Sequence, residues 1–146
     1  MTLTLLLGGA RSGKSTRAVE VASQYDVVSF IATAEALDDD MAQRIARHRG
    51  ERPKSWRTIE VARDVDEIEQ QLEPAGQAIV LDCLTLWVSN LLLAGLDEAA
   101  ILTEAERLLI VVERKPAHWI VVSNEVGLGV PWRHSSIPIT AVVVSR

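Results

Sequence analysis

Short apolar runs alternate along the chain with segments whose apolar residues recur at helical spacing. Leu3 to Leu7 is an apolar run closed by Gly8-Gly9 and predicts a buried strand. Ser15 to Tyr25 carries Ala18, Val19, Val21 and Ala22 at helical spacing, so a helix follows, and Val27 to Ala32 is the next strand. Leu37 to Arg49 predicts a helix whose start holds Asp38, Asp39 and Asp40, where acidic groups meet the positive end of the dipole. Pro53 stops it. Trp56 to Val61 reads as a short strand, Val65 to Leu72 as a helix and Pro74-Ala75-Gly76 as a turn. Ile79 to Leu81 is the central strand, Leu84 to Leu93 and Glu98 to Arg114 are helices, and Trp119 to Ser123 is a further strand. Such alternation predicts a three-layer α/β fold with a mainly parallel sheet. With no repeat, low-complexity tract or linker, residues 1–146 read as one domain.

Ala78 to Leu96 has the length of a membrane helix and a single charge, Asp82. The polar Thr85, Ser89 and Asn90 inside it favour a buried strand running into a helix, so no membrane span is expected. The N-terminus lacks the basic region and cleavage site of a secretory signal. Cys83 is the only cysteine, which excludes a disulfide framework or a cysteine-rich zinc site and fits a reducing cytoplasm. The 48% hydrophobic content supports a full core. The net charge of -5, from 15 Lys+Arg against 20 Asp+Glu, removes the global basic footprint of a nucleic-acid binder.

Gly8-Gly9-Ala10-Arg11-Ser12-Gly13-Lys14-Ser15 matches G-x-x-x-x-G-K-[ST] between a predicted strand and a predicted helix. Glycines there let backbone N–H groups turn toward phosphate oxygens, and the helix points its positive end at them. Lys14 can reach the β- and γ-phosphates, and the Ser15 hydroxyl can ligate Mg²⁺. The fold class is thereby a three-layer P-loop NTPase-like α/β fold. Asp82, closing the run Ala78-Ile79-Val80-Leu81, is the matching metal carboxylate at a strand end. It could instead cap the helix starting near Leu84.

Arg44, Arg47, Arg49, Arg52, Lys54 and Arg57 place six positive charges in fourteen residues, with Glu51 the sole acid among them. In an acidic protein this is a local anion site. His48 lies inside it. A neutral imidazole can attack phosphorus while guanidinium groups stabilise the phosphoryl oxygens. Equally, His48 could be a helix C-terminal residue favoured by the macrodipole, or a core residue in the stripe of Met41 and Ile45. His118 and His134 read as structural or solvent-facing.

In order and spacing, GGARSGKS, Ile31-Ala32-Thr33-Ala34, Asp38-Asp39-Asp40-Met41, RIARHRGERPKSWRTIE, LDCLTLWVSNLL and Ser123-Asn124-Glu125-Val126-Gly127-Leu128-Gly129 resemble a known family. It is the bifunctional adenosylcobinamide kinase/adenosylcobinamide-phosphate guanylyltransferases of cobalamin biosynthesis, and the resemblance covers about residues 1 to 130. It implies phosphorylation of adenosylcobinamide with ATP or GTP. Transfer of GMP from GTP to adenosylcobinamide phosphate would follow, through a guanylylated histidine at the position of His48. The implied nucleotide contacts are Gly8, Gly9, Ala10, Arg11, Ser12, Gly13, Lys14, Ser15, Ala32, Thr33, Ala34, Arg49, Gly50, Glu51, Arg52, Glu60 and Asp82, with Mg²⁺ on Ser15 and Asp82. It also implies a homo-oligomer, a trimer.

Residues 130–146 depart from the family's ending and resemble the product of a shifted reading frame or a truncated gene. Ile137 to Val144 could still pair as an edge strand, although Pro138 weakens it. Two other functions stay open at this stage: a simple P-loop kinase of a small metabolite with a structural His48, and a nucleotide-binding remnant without turnover.

Overall fold

The computed structural model describes residues 2–9, 11–73, 77–124 and 139–143. Six strands form one sheet in the order β3-β2-β4-β5-β1-β6, every pair parallel. The strands are β1 (Thr2–Gly8), β2 (Val28–Ala32), β3 (Arg57–Glu60), β4 (Ala78–Asp82), β5 (His118–Asn124) and β6 (Ile139–Val143). The helices are α1 (Lys14–Ala22), α2 (Asp39–Gly50), α3 (Val65–Gln71), α4 (Leu84–Leu93) and α5 (Glu98–Arg114). The expected mainly parallel sheet is thus wholly parallel among the described residues. The strand at Ile139–Val143 lies at the sheet edge beside β1, the pairing left open for the run Ile137 to Val144, and it begins just after Pro138. The turn at Pro74-Ala75-Gly76, the Glu125 to Gly129 motif, His134 and most of the atypical tail lie outside the described residues.

The continuous apolar runs of β2 and β4 follow from burial on both faces. On one face Ile79, Leu81 and Trp119 pack against Val65 and Ile68 of α3, Trp87 and Leu91 of α4, and Leu108, Val111 and Val112 of α5. On the other, Ala78, Val80, Ile120 and Val122 meet Ala18 and Ala22 of α1. The small α1 residues let that helix lie close to the sheet. Trp87 and Trp119 are wholly buried, and their indole N–H groups donate to the carbonyls of Arg63 at 3.0 Å and Lys115 at 3.1 Å. Helix α2 belongs to neither layer. It has no buried residue, and only Met41 and Ile45 are half-buried.

Because the strands are parallel, their carboxyl ends share one side of the sheet. Register places Ala32 beside both Glu60 and Asp82, and Gly8 beside Asn124. At the opposite end, His118 joins β5 to β1 through Thr4 Oγ1 at 2.7 Å and to the residues after α1 through the Tyr25 hydroxyl at 2.7 Å. His118 is therefore structural, as expected.

Candidate active site

The glycine-rich loop connects β1 to α1. Gly13 at φ 87 and Arg11 at φ 60 take the chain through the left-handed region, which glycine adopts freely and arginine rarely. Ala10 lies outside the described residues. Lys14 is buried, and its ammonium donates to the Gly9 carbonyl and to Ser12 Oγ. The loop is thus closed on its own lysine.

Helix α1 packs across β1, β5 and β4, so its first turn approaches the end of β4. There the Ser15 hydroxyl donates to Asp82 Oδ2 at 2.8 Å. The helix-cap alternative for Asp82 does not hold: Cys83 caps α4, its Sγ accepting from Leu86 N–H at 3.3 Å. Burial pushes the Asp82 carboxyl up from its ordinary value. The Ser15 hydrogen bond and the basic groups of His48, Arg52 and Lys14 oppose that rise. Burial likewise pushes the Cys83 thiol up, which makes it a poor nucleophile.

Asp38 caps α2 by accepting from Met41 N–H at 2.7 Å, with Asp39 and Asp40 in the first turn and Arg47, His48 and Arg49 in the last. Both ends therefore match the dipole. The last turn overhangs the carboxyl ends of the strands. A cleft of about 250 Å³ lies between them, lined by Ser15, Thr16, Val19, Phe30, His48, Glu51, Arg52 and Asp82. His48 is 59% exposed, not a core residue, and its Nδ1 faces Glu51 Oε2 at 3.4 Å.

The basic segment does not converge as a whole. Arg57 pairs with Glu73 at 2.6 Å, away from the cleft, and Arg49 pairs with Glu60 at 3.1 Å on the rim. Only Arg52 lines the cleft, its guanidinium 3.9 Å from the Phe30 ring centroid. Burial and the neighbouring Arg49 lower its pKa, while Asp82 and Glu60 raise it. Its Nε is buried without a partner among the described residues.

Ala32 ends β2 beside Asp82, and Thr33 and Ala34 follow it. Thr33 is fully buried, and its hydroxyl is committed to the backbone of Cys83 rather than to the cleft. The sequence did not point to Phe30, Thr16, Val19 or Asn90. Phe30 is the only phenylalanine and ends up stacked on Trp56 with centroids 6.5 Å apart, a weak signal visible only once Trp56 is placed in the basic segment.

The described residues hold no group of three or more His, Cys, Asp or Glu side chains able to bind a metal. One hydroxyl and one carboxylate form a hard-oxygen pair. That set suits Mg²⁺, which takes few protein ligands and completes its shell with phosphate and water. No described helix is long and apolar enough to cross a membrane.

Residues 4–137 match the family model described as cobinamide kinase / cobinamide phosphate guanyltransferase, a match that runs past the expected limit near residue 130. The chain is 46% identical over 127 residues to the bifunctional adenosylcobalamin biosynthesis protein CobP of Pseudomonas aeruginosa, covering 86% of this chain and 73% of that one. It is 40% identical over 141 residues to the bifunctional adenosylcobalamin biosynthesis protein CobU of Escherichia coli, covering 88% and 77%. Among solved structures, a KaiC-like protein of Pyrococcus horikoshii matches at TM-score 0.54 and 18% identity, covering 84% of this chain and 61% of that one. The RadB recombinase matches at 0.55 and 17%, with the same coverage. At such identities these two share the fold.

Proposed function

Since this chain belongs to the cobinamide kinase/cobinamide phosphate guanyltransferase family, we propose that it phosphorylates adenosylcobinamide with ATP or GTP. It then transfers GMP from GTP to adenosylcobinamide phosphate through His48. The observation that carries this reading is the shared cleft, with the Ser15–Asp82 pair on one wall and His48, Glu51 and Arg52 on the other.

In the kinase step, backbone N–H groups of the loop and Lys14 hold the β- and γ-phosphates, and Ser15 with Asp82 would hold Mg²⁺. Bound there, the ion would neutralise charge on the phosphate oxygens. Direct transfer to a hydroxyl needs positioning and charge balance, so His48 has no covalent part in it. In the guanylyl step a ring nitrogen of His48 attacks the α-phosphorus. The bond to the β-phosphate oxygen breaks, and pyrophosphate leaves with the electron pair. Glu51, facing Nδ1, balances the charge gained by the ring, which leaves Nε2 for phosphorus. Arg52, held over Phe30, is placed to steady the phosphoryl oxygens. An oxygen of adenosylcobinamide phosphate then displaces the histidine, forming adenosylcobinamide-GDP and restoring the ring.

GTP labelled at the α-phosphate should leave acid-labile, alkali-stable label on the protein, and GTP labelled at the γ-phosphate should not label His48. His48→Ala should lose the label and keep most of the kinase activity. Label persisting in that variant would place the nucleophile elsewhere. Kinase activity in a native protein that never takes label would favour the simpler small-metabolite kinase. Family membership also supports a cytoplasmic homo-oligomer, a trimer. The exposed Leu92, Leu93 and Leu102 are compatible with self-association, and sedimentation equilibrium measures the state.

A further inference from the structure

Three strand ends meet beside the cleft, and two side chains fasten them. The Thr33 hydroxyl, just past β2, donates to the Cys83 carbonyl at 2.8 Å and accepts from the Cys83 N–H at 2.9 Å. The Thr33 N–H donates to the Asp82 carbonyl at 3.2 Å. Asn90, on the second turn of α4, donates from Nδ2 to the Thr33 carbonyl at 2.8 Å and to the Ala62 carbonyl, beyond β3, at 3.0 Å. Both side chains are buried, Thr33 at 0% and Asn90 at 7% exposed. None of these bonds reaches the cleft. The Thr33 bonds fix backbone on or next to Asp82, whose carboxylate meets Ser15 at 2.8 Å, and the Asn90 bonds tie Thr33 to the segment after β3.

We propose that Thr33 and Asn90 are positioning residues that set the direction of the Asp82 carboxylate and so the affinity of the site for Mg²⁺. This rests on the metal role given to Ser15 and Asp82 above. Thr33 holds the peptide that follows Asp82 at both ends, its N–H on the Asp82 carbonyl and its hydroxyl on the Cys83 N–H, and holds the Cys83 carbonyl as well. Asn90 keeps Thr33 in place by holding its carbonyl. Groups that orient metal ligands in this way change metal affinity or activity about 10- to 100-fold when removed. The arrangement separates this role from a direct nucleotide contact. A contact would strengthen nucleotide binding with or without the ion, whereas orientation of Asp82 acts only on the ion-dependent part.

The test is calorimetric binding of β,γ-imido-GTP to the whole chain, with Mg²⁺ and with EDTA, alongside thermal unfolding. The ratio of the two affinities is the readout. Thr33→Val, close in shape, should lower that ratio about tenfold while leaving the EDTA affinity unchanged. Thr33→Ser should keep it. If Thr33→Val does not fold, Thr33→Ala against Thr33→Ser isolates the hydroxyl, and Asn90→Ala should move the ratio in the same direction. Asp82→Asn is the reference. An unchanged ratio there overturns the metal role itself, and the positioning role with it. A fall in Asp82→Asn with no change in folded Thr33 and Asn90 variants, or an equal fall with and without Mg²⁺, overturns the positioning role alone.

Discussion

Asp82 is held against its own preference. Burial raises its carboxyl above the ordinary value, so the folded chain binds that proton more tightly than the unfolded chain does. Stability from this group is therefore greatest in acid and declines as pH rises through the raised value. Above the raised value the ionised form weakens the fold while serving the ion. Asp82→Asn should then unfold at a higher temperature than the native chain at neutral pH, with the difference shrinking on acidification, and should need more Mg²⁺ for activity. Thermal scans across pH check the first half, and an Asn variant less stable at every pH would contradict it. Lys14 gives a simpler expectation. Removing its ammonium leaves the phosphates without their cation, so Lys14→Ala should weaken nucleotide binding and abolish both transfers. Unchanged GTP affinity by calorimetry would move the phosphates elsewhere.

Helix α2 carries the proposed nucleophile yet buries nothing fully, so its ends matter more than its packing. Its Asp38 cap accepts from Met41 N–H, and losing a cap of this kind costs about 1 kcal/mol. Asp38→Ala should speed amide exchange across α2 in mass-spectrometric hydrogen exchange. It should reduce guanylylation more than phosphorylation of the corrinoid. Equal loss of both would mean that the helix supports the phosphate loop as well. The sequence made most elements legible. Leu84–Leu93 and Glu98–Arg114 appear with the expected limits, because each begins just after a capping residue and carries a full apolar stripe. The site was legible only where chemistry is local. The loop, Asp82 and His48 stand in short motifs, but Phe30 and Asn90 work across 22 and 57 residues of chain, and Thr33, expected at the nucleotide, bonds Cys83 across 50. The cluster of basic residues misled for a related reason. Charge counted along the chain does not say where Glu60 and Glu73 will lie, and they claim Arg49 and Arg57.

Across the whole molecule, the two ends of the sheet respond to acid in opposite senses. At the end away from the cleft, burial lowers the His118 pKa, so its contribution to stability is present at neutral pH and lost as pH falls through the lowered value. His118→Gln should flatten the loss of stability below neutral pH in urea titrations, and an unaltered slope would assign that loss elsewhere. The strand order carries a different consequence, for synthesis. The loop after β1 and the carboxylate at the end of β4 belong to strands that are not neighbours, because β5 lies between them. A growing chain makes the loop first and Asp82 67 residues after Ser15, but the strand that bridges them begins only at His118. Until β5 is in place, β1 and β4 have no common neighbour in the sheet, and only α1 and the Ser15–Asp82 bond link the two halves. A nascent chain short of that point therefore carries the glycine loop and Asp82 without the strand that sets β1 and β4 side by side.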